Sequence, residues 1–203
     1  MVIPVIDMLS KVWERMKIMK TFIIILVSVI TLSSFSLALG LRIGGTVNYY
    51  VVEDPVFKDT YGQGNIMYGL FLGFEVTRRF ELRAEANYFQ DKGEMTLTKE
   101  EISLTLKPVI LGLRLRLIDV GLVSLYLGGG AGFYSYTENL PDRFEDISDS
   151  TIGYHGEGGV YVSLVPKFFL DVNVRYSIAN AEPFEETAKL GGFRAGVGFG
   201  LSF

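Results

Sequence analysis

Phe193-Arg194-Ala195-Gly196-Val197-Gly198-Phe199-Gly200-Leu201-Ser202-Phe203 closes the sequence, and its alternation decides the fold. Odd positions carry Phe, Ala, Val, Phe, Leu and Phe, while even positions carry Arg, Gly, Gly, Gly and Ser. Successive side chains of a strand point to opposite faces, so one face is apolar and aromatic and the other is small and polar. A sheet in a soluble protein also alternates, with its apolar face in a core. Two criteria separate the cases: whether the pattern recurs along the chain and whether the chain is exported. Both favour a strand that crosses a membrane.

The pattern recurs in eight segments, near 41–52, 65–77, 80–91, 102–117, 122–137, 150–164, 168–180 and 189–203. Three connections are tight: Thr77-Arg78-Arg79-Phe80, Ile118-Asp119-Val120-Gly121 and Val165-Pro166-Lys167. The other four (53–64, 92–101, 138–149 and 181–188) are longer and polar. Short and long connections alternate strictly. Short inner turns, longer outer loops and an even strand count are the signature of a transmembrane β-barrel. The expected fold is therefore all-β: an eight-stranded antiparallel up-and-down barrel over residues 41–203.

The two faces assign the solvent. Phe80, Leu82, Ala84, Ala86 and Tyr88 oppose Glu81, Arg83, Glu85 and Asn87; Phe168, Leu170, Val172, Val174 and Tyr176 oppose Asp171, Asn173 and Arg175. A soluble core does not bury repeated charges, whereas a bilayer requires apolar outside and closure of every backbone edge. The alternation turns inward the basic Arg42, Arg83, Arg114, Arg116, Arg175 and Arg194 and the acidic Glu75, Glu81, Glu85, Glu157 and Asp171. Outward-facing Tyr49, Tyr68, Tyr88, Tyr154 and Tyr176 fall near the long-loop rim, and Phe74, Phe80, Phe168, Phe199 and Phe203 near the other. Aromatic girdles at both interfaces are expected of such a barrel. Leu72, Leu111, Leu125 and Val172 are expected to face lipid near mid-depth.

Export is read from Lys20, the apolar run Thr21 to Ile30 and the small-residue exit through Ala38 and Gly40, the pattern of a secretory signal peptide over 19–40. The run is too short to cross about 30 Å of hydrocarbon. Residues 1–18 precede the basic start and read as an over-extended N-terminus, with Met16 or Met19 the true initiator. From Leu41 onward 15 basic and 21 acidic side chains give a net charge of −6, with no basic stripe for nucleic acid and no cysteine for disulfides.

One strand breaks phase. Ile102, Leu104 and Leu106 occupy even positions, but Val109, Leu111, Leu113 and Leu115 occupy odd ones. A β-bulge at Lys107-Pro108 is the expected cause, since proline cannot donate to the ladder. The inward glycines, among them Gly44, Gly69, Gly128 and Gly200, are expected to make room for arginine side chains.

Signal peptide, eight alternating strands, short inner and long outer connections and a last strand ending in phenylalanine resemble the small outer-membrane β-barrel proteins of the OmpX/OmpA type. The resemblance spans 41–203 and implies an outer-membrane location. It also implies that Phe199, Leu201 and Phe203 form the signal read by the outer-membrane assembly machinery. That family hosts diverse activities, so fold does not fix function.

Eight strands enclose barely enough room for their own side chains, so the eleven inward charges read as a structural ion-pair plug. A narrow ion or small-solute pore is the alternative. A lipid-modifying enzyme is a second one. The sole histidine, His155, shares a face with Glu157, but Ser150 and Ser163 lie several residues away and no triad is apparent. No metal or cofactor set is present in the sequence. Fifteen acids against five bases in the outer loops give a negative cap. The expected role is structural or surface-interacting and monomeric, with outer-membrane lipid and lipopolysaccharide as surroundings.

Overall fold

The computed structural model describes residues 40–62, 64–94, 100–140, 146–182 and 188–203. The expected N-terminal extension and, apart from Gly40, the signal peptide lie outside these residues, as do the loop charges Lys99, Asp142, Arg143, Glu145, Glu185 and Glu186.

Strands β1 (Gly40–Val52), β2 (Asn65–Glu75), β3 (Phe80–Glu94), β4 (Glu101–Val120), β5 (Val123–Asn139), β6 (Ile147–Val165), β7 (Phe168–Ile178) and β10 (Gly192–Ser202) form the wall. They close in the order β1-β10-β7-β6-β5-β4-β3-β2, every neighbour antiparallel. The architecture is the one the alternation requires. Two outer connections hold structure that alternation cannot announce: helix α1 (Pro55–Tyr61) and a two-stranded ribbon of β8 (Asn180–Ala181) and β9 (Ala188–Lys189).

Local chemistry explains the helix. Asp54 Oδ1 accepts the Phe57 N–H at 3.3 Å, an N-cap contact followed by proline at the first helical position. Gly62, at φ +96°, ends it where L-residues are disfavoured. The other Asp54 oxygen accepts the Lys189 N–H at 2.9 Å, tying helix to ribbon. Phe57 is buried and stacks on Tyr61 with ring centroids 4.8 Å apart. Tyr61 donates to Glu138. Burial, reinforced by that carboxylate, pushes the phenol well above its ordinary pKa, so it remains a donor.

No bulge exists at Lys107-Pro108. Lys107 faces Ser135 and Pro108 faces Tyr134 in unbroken step along β5. Toward β3 the offset is the same on both sides, Ala86 opposite Val109 and Phe89 opposite Leu106, with the two pairs between them absent. A missing proline N–H thins that ladder without inserting a residue. The register shifts instead near the inner turns, between Arg116 and Ile118 and between Ser163 and Val165.

What changes at Lys107 is the solvent. Ile102, Leu104 and Leu106 are buried inside, and Leu104 and Leu106 join a cluster with Tyr50, Met67, Phe89 and Tyr134. On the outside, Ser103 and Thr105 are half-buried and Lys107 is exposed, before Val109, Leu111 and Leu113 begin the apolar exterior. β4 has 20 residues, whereas a tilted strand crosses the bilayer in about 9–11. Its outer end therefore stands in water, where apolar side chains turn inward. The outer part of this barrel is built like a soluble protein and the rest like a membrane protein.

Cysteines placed at Thr105 and Lys107 should react with a membrane-impermeant maleimide, and cysteines at Val109 and Leu111 should not. Equal labelling on both sides of Pro108 would remove the boundary. Leu72, Leu111, Leu125 and Val172 all face outward, 37–56% exposed. Leu125, however, sits only two residues inside the inner end of β5, off mid-depth.

Candidate functional site

All eleven charged residues assigned inward by alternation line the lumen. β3 supplies Glu81, Arg83 and Glu85, and β4 supplies Arg114 and Arg116; β6 adds Glu157, β7 adds Asp171 and Arg175, and β10 adds Arg194. Arg42 and Glu75 come from β1 and β2.

Arg114 is the centre, fully buried. Its Nε and Nη2 donate to the two oxygens of Glu157 at 2.7 and 2.9 Å, a bidentate pair. Its Nη1 donates to Asp171 at 2.9 Å and to the Tyr161 hydroxyl at 2.6 Å. The guanidinium lies 4.3 Å from the centre of the Tyr126 ring, and Tyr126 donates to Asp171 at 2.6 Å. Charge-assisted bidentate contacts offset desolvation that single contacts cannot.

The pairs join end to end. Arg116 meets Glu75 near the inner mouth, and Arg42 bridges Glu75 at 2.8 Å and Glu81 at 2.9 Å. Tyr161 donates to Glu81 at 2.8 Å and accepts from Arg114. Arg175 links Glu157 at 2.7 Å to Glu85 at 3.2 Å, and Arg194 reaches Glu85 at 2.7 Å. Arg83 lies 3.3 Å from both Glu85 and Asp171. One polar chain thus runs from the inner mouth to Arg194, below the apolar outer cluster.

The tyrosines were missed by counting charges. Tyr126 and Tyr161 fall on the inward phase, and an inward tyrosine among glycines was the available signal. At Gly44 and Gly200 the side chains given room are rings rather than arginines. A Cβ on Gly44 would stand 2.5 Å from Phe71 Cζ, and one on Gly200 would stand 2.4 Å from Phe169 Cζ. At Gly128 the nearest side-chain atom belongs to an arginine, Arg114 Cγ at 3.0 Å.

His155 is buried in the lumen, and its Nδ1 has no hydrogen-bond partner among the described residues. The residue opposite it on β7 is Ser177, a serine that sequence spacing passed over. The Ser177 hydroxyl donates to the Gly192 carbonyl and accepts the Gly192 N–H, each at 3.3 Å, so it is committed away from the imidazole. Among the described residues no group of three or more His, Asp or Glu side chains is placed to hold a metal. The last residue is tied into the wall: Leu41 and Phe203 exchange backbone hydrogen bonds of 3.1 and 2.8 Å across the β1–β10 seam.

An apolar exterior, aromatic rims and an interior filled with ion-paired side chains define an eight-stranded membrane barrel of the outer-membrane class. The chain belongs to the outer membrane protein β-barrel domain family, whose family model matches residues 22–203. It is an outer-membrane protein. Its fold is similar to that of the outer membrane protein OprG from Pseudomonas aeruginosa, with TM-score 0.65 and 15% identity over 81% of this chain and 95% of that one. Neisserial surface protein A gives TM-score 0.58 at 12% identity, over 81% of this chain and 97% of that one. The N-terminal β-barrel domain of Pseudomonas aeruginosa OprF gives 0.53 at 14%, over 81% and 97%. At such identities the likeness is one of fold alone. No curated protein matches the sequence.

Proposed function

We propose that this protein is a non-catalytic barrel with a closed lumen, serving the outer membrane as a structural and surface-interacting element. One observation carries the reading: the continuous ion-pair chain centred on fully buried Arg114, roofed by the apolar cluster and Phe57. An eight-stranded lumen has little bore to begin with, and here side chains occupy it. Commitment of Ser177 to Gly192 supports the absence of a hydrolytic triad, because a nucleophile must reach its base. Exposed Glu53, Asp59, Glu94, Glu101, Asp146 and Glu182 support a negative outer face for encounters with lipopolysaccharide or other surface partners. Phe199, Leu201 and Phe203, on one outward face of the seam strand, remain our candidate for the motif read by the assembly machinery. We take the barrel to be monomeric, to need no cofactor and to have no nucleic-acid partner.

A narrow pore is the second reading, favoured by a specific feature. Thr46, Asn48 and Asn173 are buried with side-chain polar atoms that have no partner among the described residues, along the glycine-lined wall of β1, β10 and β7. Such groups are normally met by water. Conductance across a planar bilayer distinguishes the readings. The closed reading expects no unitary steps from the wild type; reproducible steps that change with Arg114→Gln would establish the pore.

A further inference from the structure

Where β3, β4, β5 and β6 lie side by side, the lipid-facing wall holds a hollow of 360 Å³ lined by Ala84, Val109, Leu111, Ala131, Phe133 and Ile152. Registration explains its shape. One cross-strand row runs Ala84, Leu111, Ala131, and the next runs Ala86, Val109, Phe133, Ile152. Alanine methyls make the floor, while leucine, valine, phenylalanine and isoleucine make the sides. The wall of a barrel is otherwise convex, so the hollow suits a thin flexible chain better than a second barrel.

The row immediately above supplies the other half of a ligand. Lys107, Ser135 and Ser150 stand abreast on the exterior of β4, β5 and β6. Lys107 is exposed and, among the described residues, has no ion-pair partner. It sits at the level where the exterior changes from polar to apolar, which is headgroup depth. A cation and two hydroxyls above an apolar trough match a negatively charged headgroup joined to an acyl chain. The surrounding outer face is acidic, so this row is where an anion meets attraction.

We propose that the trough is a binding site for one anionic lipid of the outer leaflet, with an acyl chain over Ala84 and Ala131 and its phosphate at Lys107, Ser135 and Ser150. The site is on the exterior and does not depend on whether the lumen conducts. A single lysine near a membrane surface contributes about 1 kcal/mol toward an anionic lipid, or about fivefold in affinity.

Native mass spectrometry of the barrel released from micelles doped with phosphatidylglycerol or phosphatidylcholine tests this. The wild type should retain phosphatidylglycerol about fivefold more. Lys107→Gln should abolish the preference, and Ala131→Leu, which fills the trough, should lower retention of both lipids. Folding of each variant is checked by heat-modifiable gel migration, and Lys107→Gln removes only an exposed charge. Equal retention of both lipids by the wild type would overturn the proposal. So would a preference that survives Lys107→Gln, or a second barrel retained in place of lipid.

Discussion

Replacing Arg114 by methionine is expected to lower the unfolding free energy of the vesicle-inserted barrel by about 3–5 kcal/mol, the range for removing one partner from a buried ion pair. The change deletes both bonds to Glu157 and those to Asp171 and Tyr161 together. Glu157 keeps Arg175, and Asp171 keeps Arg83 and Tyr126, but none of these replaces the bidentate contact. Adding Glu157→Gln to the methionine variant should restore part of the loss, because the negative charge left in excess disappears. Guanidinium titration of the single and double variants measures both values. A loss under about 1 kcal/mol, the level of an exposed pair, would show that the remaining arginines absorb the carboxylates and that Arg114 is not central.

Arginine on the opposite face tests the solvent rather than the network. Val172 lies outward near the middle of β7, between Phe168 and Ile178, and is 44% exposed to the surroundings of the barrel. Val172→Arg should cost about 2–4 kcal/mol, the depth-dependent penalty at the bilayer midplane. The same substitution at Leu125, near the inner end of β5, should cost less, since the penalty falls to about 0–1 kcal/mol toward the interface. Denaturant titration in one lipid ranks the two sites. Equal penalties, or a larger one at Leu125, would place the bilayer differently along the strands.

The wall was legible in the sequence because a period of two is the property that a strand between lipid and lumen must have. Glu81, Arg83 and Glu85 share a phase, and their inward placement follows from Leu82 and Ala84 alone. Their partners did not follow. Which acid meets which arginine depends on the stagger between strands that are not neighbours, as for Arg175 and Glu85, and no local pattern encodes it. The outer end was misread for a physical reason. A bulge at Lys107-Pro108 would put Leu104 and Leu106 on the same face as Val109 and Leu111, which equates apolar with lipid, an equation that fails once the strand leaves the bilayer. Proline then offered a plausible but wrong cause for the apparent flip. Helix α1 carried its own signals in Asp54, Pro55 and Gly62, but seven residues show too little periodicity to stand out.

The lumen charges also have a consequence for how the cylinder finds its closure. The seam joins β1 to β10, and Gly44, Gly196, Gly198 and Gly200 all face inward there. A slip by two residues would keep every lipid-facing side chain toward lipid, because the faces repeat every second position. Shape offers weak resistance where so many inward positions lack a side chain. Charge offers more. Across the lumen Arg83 meets Asp171, while Arg175 and Arg194 meet Glu85, linking β3 on one flank of the seam to β7 and β10 on the other. Sliding the flanks by two residues displaces them by roughly 7 Å, which separates all three contacts at once. The ionic interior works as the teeth of a key: it admits one alignment of the last strand against the first and rejects its near-identical neighbours.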